Sequence, residues 1–189
     1  MMRVAIVIRA RAPYLRDLQE ALANELLTGE LHLLWPANED SDFKDDSATP
    51  TGKNVTIHAI QSCPVLGPRF PSSDLWSTLN TIQPDIVWIH EFSPFTLGGL
   101  LYAKRQAIPV VESTEVGRGN AHFFSFTVRA WHFLWSHLID GVIANAPAAR
   151  QSLCGENHAV VDAFHAVDSR RFAPVLSDRD HDAPVTFVV

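Results

Sequence analysis

Cysteine is scarce in this chain: 189 residues hold two, Cys63 and Cys154. Two cysteines cannot make a disulfide framework, and their separation fits no zinc motif. Both are expected to be reduced, partly buried thiols. No stretch reaches the roughly 18–20 consecutive apolar residues that a membrane-spanning helix needs. The apolar run from Met1 to Ile8 is short and is followed by Arg9 and Arg11, with no small-residue cleavage site. That is not the pattern of a secretory leader, so a cytoplasmic chain is the default expectation. Basic residues are not in excess either. Lys and Arg number 15 against 21 Asp and Glu, for a formal charge of -6. Nucleic-acid-binding domains carry a basic face, so that class is set aside. A phosphorylated ligand is still compatible, because a few local arginines suffice to hold one.

Three chemical signatures are also missing. The first strand is not followed by G-x-G-x-x-G, which argues against an ordinary nicotinamide or flavin dehydrogenase. There is no G-x-S-x-G nucleophile elbow. The acidic stretch at 36–53 lacks the glycine and terminal glutamate of a calcium loop. His132 and His137 stand five apart, a spacing that does not put both on one helical face. No metal site and no tightly bound cofactor are expected.

What is present is an alternation of strand-like and helix-like segments in a chain that is 47% apolar and sized for one large domain. Arg3 to Ile8, Leu31 to Trp35, Val55 to Ile60, Asp85 to His90, Pro109 to Val111, Gly141 to Ala144 and Ala159 to Val161 read as short strands. An eighth begins at Pro184 and runs to Val189. Continuous apolar, β-branched runs of this kind belong to parallel sheets buried on both faces. Between them fall helices. One opens at Pro13 with Leu15, Leu18, Leu22 and Leu26 on a stripe, and another runs from Ser73 to Ile82 with Leu75, Leu79 and Ile82 inward. A third runs from Pro94 to Ala107, where Gly98 and Gly99 permit close packing on the sheet. Pro147 to Leu153 reads as a short helix. Cys63 to Pro71, with three prolines and a glycine, reads as loop. The acidic stretch at 36–53 reads as an exposed, mobile loop. The fold class implied is α/β: a doubly wound, mainly parallel Rossmann-like sheet with helices on both faces.

In such a sheet ligands bind at the carboxyl ends of the strands. The first strand delivers Arg9 and Arg11 just before a helix start, where free N–H groups and the helix dipole favour an anion. The strand ending at His90 should lie centrally, and it delivers His90 and Glu91. Histidine there can donate a hydrogen bond or act as a general base. The next strand delivers Glu112, Ser113, Thr114 and Glu115, followed by the flexible Gly117-Arg118-Gly119-Asn120. A carboxylate pair for glycoside hydrolysis is disfavoured, since two acids three apart in one loop are usually solvated. His90 and Glu115 are the expected catalytic groups. Arg9, Arg11, Glu91, Glu112, Ser113 and Thr114 are the expected substrate-binding groups. From Ala121 to Leu138 one helix with aromatics nearly all round it is expected. It is assigned first to the core or a domain interface and second to a lipid surface.

From residue 84 onward the order of segments resembles a known family. Pro84-Asp85-Ile86-Val87-Trp88-Ile89-His90 comes first, then Ala103-Lys104-Arg105-Gln106-Ala107-Ile108-Pro109-Val110-Val111 and Asp140-Gly141-Val142-Ile143-Ala144. Last comes Val167-Asp168-Ser169-Arg170-Arg171-Phe172-Ala173-Pro174. Together they are similar to the N-terminal domain of family 4 glycosyltransferases, which have the GT-B fold. The chain departs from that family in three places. His165-Ala166 replaces Asn-Gly, the first loop lacks a phosphate-facing glycine, and Glu115 stands where histidine is frequent.

The resemblance implies the N-terminal half of a retaining glycosyltransferase. It would move a sugar from a nucleotide-sugar to a sugar or lipid-linked acceptor without a metal, in polysaccharide biosynthesis or related work. Residues 1–180 would form the acceptor-side domain, and 181–189 would begin a C-terminal donor-binding domain that the chain lacks. Location at the inner face of the membrane would follow from a lipid-linked acceptor. Two alternatives stand beside this reading. One is a non-catalytic carbohydrate- or nucleotide-binding module. The other is a lone Rossmann-like enzyme such as a sugar-nucleotide epimerase, which the missing glycine fingerprint disfavours.

Overall fold

Val4 to Ile8 are buried without interruption, as a strand covered on both faces of a parallel sheet must be. This is β1 (Arg3–Ile8) in a computed structural model that describes residues 1–9, 19–20, 22–24, 29–37, 52, 54–63, 65–151 and 159–162. The other strands are β2 (Glu30–Pro36), β3 (Val55–Ile60), β4 (Ser62–Cys63), β5 (Gly67–Pro71), β6 (Ile86–His90), β7 (Val110–Thr114), β8 (Gly141–Ala144) and β9 (Ala159–Asp162). The α-helices are α1 (Asp74–Ile82), α2 (Pro94–Arg105) and α3 (Phe126–Trp135). Residues 19–20 and 22–24 are also helical.

Seven strands form one sheet in the order β3-β2-β1-β6-β7-β8-β9, and every adjacent pair is parallel. The order reverses at β1, which lies between β2 and β6. That reversal opens a crevice at the carboxyl ends of β1 and β6, where doubly wound sheets take their ligands. In register, Ile8 lies beside His90 and His90 beside Ser113.

Side chains alternate between the two faces. Val7, Val87, Ile89, Val110 and Val142 pack with Leu75 and Leu79 of α1 and Leu100 and Ala103 of α2. Ile6, Ile8, Leu31, Leu33 and Trp88 pack on the other face with Ala23 and Leu22. Helices therefore cover both faces, as the sequence pattern requires. Gly99 is what lets α2 lie close to the sheet: a Cβ there would come within 2.9 Å of Val7 Cγ2. α2 is started by a capping box, with Ser93 Oγ accepting from the Thr96 N–H and Thr96 Oγ1 accepting from the Ser93 N–H.

Four expectations need correction. Cys63 to Pro71 is not simply loop, because β4 and β5 pair there as an antiparallel hairpin; a two-stranded ribbon has free edges, which tolerate proline. The span Ala121 to Leu138 is not one helix. It breaks into a 3-10 turn (Ala121–Phe123), α3 and a second 3-10 turn (Ser136–Leu138), with Ser125 Oγ capping α3 through the Val128 N–H. Nor is it a core helix, since His132 alone of α3 is buried. At Pro147–Arg150 there is a 3-10 turn in place of an α-helix. Finally, Gly117 to Asn120 is a bonded turn, not a flexible one. The Gly117 N–H donates to Asn120 Oδ1 and the Arg118 N–H to the Gln151 carbonyl. A Cβ at Gly117 would lie 2.0 Å from the Ala148 carbonyl oxygen, so the chain can pass there only as glycine. Residues 38–51 and 53 of the acidic stretch, Cys154, the segment Val167–Pro174 and the Pro184–Val189 strand lie outside the described residues.

Candidate functional site

The carboxyl ends of β6 and β7 carry two separate groups of polar side chains, one on each face of the sheet. Ser113 lies on the face of Trp88, and its Oγ accepts from Trp88 Nε1 at 2.8 Å. The same Oγ lies 2.8 Å from His90 Nδ1. Trp88 and His90 are two residues apart on one strand and so point the same way. Ser113 is thus the hinge of a small network that fixes the His90 ring at the crevice beside β1.

The other group lies on the α3 side. Glu112, one residue before Ser113, points to the opposite face and is 2% exposed. His132 of α3 is also buried. Its Nδ1 lies 3.7 Å from Glu112 Oε1 and its Nε2 3.6 Å from Glu91 Oε2. The imidazole therefore stands between two carboxyl groups, one deep and one near the surface. The Phe92 ring meets it edge-on at 5.0 Å. Glu91 has a left-handed backbone, φ 56, which is uncommon outside glycine and often marks a constrained functional position. α2 holds that conformation, because Thr96 Oγ1 donates to the Glu91 carbonyl at 2.7 Å. On the other side Glu91 Oε1 accepts from the Glu115 N–H at 2.9 Å.

Burial decides the protonation of this group. Desolvation raises the Glu112 pKa well above the usual carboxylate range, and the Glu91 charge raises it further. Desolvation also lowers the His132 pKa to about 4. Both distances to His132 are too long for hydrogen bonds, so no formed ion pair offsets the cost of burying a charge there. Burial thus favours the neutral forms of Glu112 and His132, while Glu91 is partly exposed. Glu112 Oε1 is buried and has no hydrogen-bond partner. A cavity of about 10 Å³ adjoins it, lined by Glu112, Thr114, His132 and Ser136 among others. That volume fits about one water molecule.

Among the described residues, Glu91, Glu112 and His132 are the group that offers three metal-type donor atoms, all within 4.8 Å of one another. The shortest approaches use different ring nitrogens of His132, on opposite sides of the ring. A single ion takes one nitrogen per imidazole at about 2.0–2.1 Å, so the contacts observed do not form a ligation geometry.

Of the residues expected from sequence, Glu91 and Glu112 come together, while His90 and Ser113 come together on the other face. The expected catalytic pair, His90 and Glu115, is not one unit. Glu115 is exposed and meets Glu91 through its backbone. Thr114 is buried, lines the cavity and accepts from the Val116 N–H through Oγ1 at 3.0 Å. Arg9 is exposed just beyond β1, and Arg11 lies outside the described residues. His132 was not expected. Its signal was a lone polar residue between Val128, Trp131 and Trp135, on the stripe that turns toward the sheet.

No protein-family model matches the chain, and no curated protein matches it significantly. Solved structures do match. The MnaA protein of S. aureus, determined with UDP, has a TM-score of 0.62 at 15% identity, over 96% of this chain and 50% of that one. UDP-GlcNAc 2-epimerase from Neisseria meningitidis, bound to UDP-GlcNAc, has a TM-score of 0.61 at 18% identity, over 87% and 47%. Anabaena Alr3699/HepE in complex with UDP-glucose has a TM-score of 0.59 at 16% identity, over 90% and 45%. The fold is a Rossmann-like domain of GT-B type. The chain spans about half the length of the structures it matches.

Proposed function

We propose that this chain is the acceptor-side lobe of a two-lobed enzyme acting on a nucleoside-diphosphate sugar, with Glu91 as the group that exchanges a proton with the substrate. The observation that carries the reading is the Glu91–His132–Glu112 cluster at the carboxyl edge. Burial favours the neutral form of its deep carboxyl, and its outer carboxylate lies near the surface, 3.6 Å from a buried imidazole. Such a set leaves Glu91 as the group able to accept a proton, which is what general base catalysis requires. Arg9, just beyond β1 at the switch point, is suited to a phosphate, and His90 to a sugar hydroxyl. The second lobe would supply the remaining donor contacts.

Transfer of the sugar to an acceptor hydroxyl, with retention, is the reading that the sequence resemblance supports. Glu91 would then receive the acceptor proton, and a sugar or lipid-linked alcohol would be the acceptor. A second reading, epimerisation of the nucleotide sugar itself, is favoured by the 2-epimerases among the matching structures. There a proton is taken from a sugar carbon and one returned to its other face, a use that fits an acid and a base on either side of one imidazole. Both readings need the second lobe, and the isolated chain is expected to turn over neither.

One experiment separates them. The full two-lobed protein is incubated with UDP-GlcNAc and with UDP-glucose in D2O and followed by proton and phosphorus NMR. Deuterium entering the sugar ring assigns epimerisation. UDP release that needs an added acceptor, without ring deuterium, assigns transfer. No turnover of either sugar, together with no UDP-sugar binding by calorimetry, would overturn the proposal.

A further inference from the structure

A serine hydroxyl carries one hydrogen and two lone pairs, and Ser113 Oγ has three polar neighbours. Trp88 Nε1 lies 2.8 Å away, His90 Nδ1 also 2.8 Å, and the Ile89 carbonyl oxygen 3.5 Å. An indole nitrogen only donates, so Trp88 occupies one lone pair. The hydroxyl hydrogen then has two acceptors to choose between. The Ile89 carbonyl stands beyond the roughly 2.5–3.0 Å of a sound O–H···O bond, whereas His90 Nδ1 is well within reach. Ser113 is 1% exposed, so bulk solvent offers no other acceptor.

The opposite assignment costs a bond. With its proton on Nδ1, the ring would donate to Ser113, whose own hydrogen would be left with the distant Ile89 carbonyl. A buried hydroxyl that lacks an acceptor is unfavourable. An imidazolium, protonated on both nitrogens, meets the same obstacle. What remains is a neutral ring with its proton on Nε2, the nitrogen remote from Ser113. Which nitrogen carries the proton is thus set by the bond that the other one makes.

His90 ends β6 and lies beside Ile8 in register, with Arg9 next along the chain. It stands where the strand order reverses, at the rim of the crevice. A neutral imidazole in this form can hold or polarise an oxygen atom. It cannot take a proton at Nε2.

We infer that Trp88 and Ser113 hold His90 as its Nε2–H tautomer, which makes it a hydrogen-bond donor to an oxygen of the bound nucleotide sugar and not a general base. Ser113, expected from sequence to touch substrate, is a positioning residue that acts through His90. The ligand rests on the function proposed above; the tautomer does not. The oxygen belongs either to the diphosphate or to a sugar hydroxyl.

The test uses the full two-lobed protein with nitrogen-15 in its histidines. Two-bond proton–nitrogen NMR spectra of the free protein should show His90 Nε2 protonated and Nδ1 unprotonated. Ser113→Ala should move the Nδ1 resonance, because its bond is gone. UDP and UDP-glucose are then added separately, with binding followed by calorimetry. A shift of the Nε2 proton with UDP places the donor on the diphosphate, and a shift with UDP-glucose alone places it on the sugar. His90→Ala should weaken binding of that ligand about tenfold, as loss of one hydrogen bond does. His90→Gln should recover most of that loss, since its amide offers an N–H and has no basic nitrogen. Any of four outcomes would overturn the inference: a proton on Nδ1, an Nδ1 resonance unmoved by Ser113→Ala, an Nε2 proton that does not respond to either bound ligand, or His90→Gln as impaired as His90→Ala. Failure of the wild type to bind either compound would overturn the proposed function, and the ligand assigned to His90 with it, and is read separately from the tautomer.

Discussion

Replacing His132 by glutamine probes the protonation of the buried cluster. In the folded chain the imidazole stays neutral down to about pH 4, because burial opposes its charge. In the unfolded chain it takes a proton near pH 6.5. A depressed folded value means that stability is lost as pH falls from about 6.5 toward 4, since there the unfolded state alone binds the proton. At about 1.4 kcal/mol per pH unit, the wild type should lose about 3 kcal/mol from this site across that window. For a chain of this size that equals a fall of about 6–12 °C in melting temperature. Glutamine cannot take up the proton, so the variant should lack this part of the acid slope. It will be less stable at neutral pH, because the ring contact with Phe92 is gone. The measurement is chemical denaturation of both proteins from pH 7.5 to 4, read as the difference between their slopes. NMR of the His132 ring in the wild type gives a direct check. Parallel slopes, or a ring that titrates at pH 6.5 or above, would refute the neutral-imidazole account and favour a charged His132 between two carboxylates.

Glu112→Gln should behave in the opposite sense. A folded pKa raised above the unfolded value makes the wild type lose stability as pH rises above the ordinary carboxylate range, so the variant should gain on it over that rise in thermal melts; a constant difference would contradict this. Ser113→Ala removes the partner of Trp88 Nε1 and of His90 Nδ1 and should cost about 1–3 kcal/mol, seen by denaturation with tryptophan fluorescence. A loss below about 0.5 kcal/mol would show that the network does not hold. Gly117→Ala places a methyl against the Ala148 carbonyl and should cost about 1–3 kcal/mol; an unchanged melting temperature would show that the turn can shift.

The fold was legible because its main signal is local. The runs at Val4–Ile8 and Ile86–His90 are apolar at successive positions, and a strand buried on both faces has no other pattern. The central place of β6 followed from chain order, and the stripe Leu75, Leu79 and Ile82 followed from helical period. The β4–β5 hairpin was hidden by its prolines, which read as loop and which a two-stranded ribbon tolerates. The site was half legible. The rule of strand ends found Glu91, Glu112 and His90, but not the face on which each lies. That parity separates Glu112 from Ser113 and His90 from Glu91. His132 comes from a helix, and its meeting with Glu91 depends on how α3 packs, which no spacing along the chain reveals. The aromatic helix was assigned first to the core or a domain interface; the structure rules out the core, since it leaves most of the helix exposed.

The central claim is that Glu91 exchanges a proton with a nucleotide sugar. Its most direct test is steady-state turnover by Glu91→Gln in the full two-lobed protein, with the UDP-sugar that the wild type consumes. Glutamine keeps an oxygen for the Glu115 N–H, so the loop should hold its shape. The account predicts a fall in kcat of about 10²–10⁴-fold, with KM within a few-fold of wild type and an unchanged melting temperature. An unchanged kcat, with the protein equally stable, would contradict it.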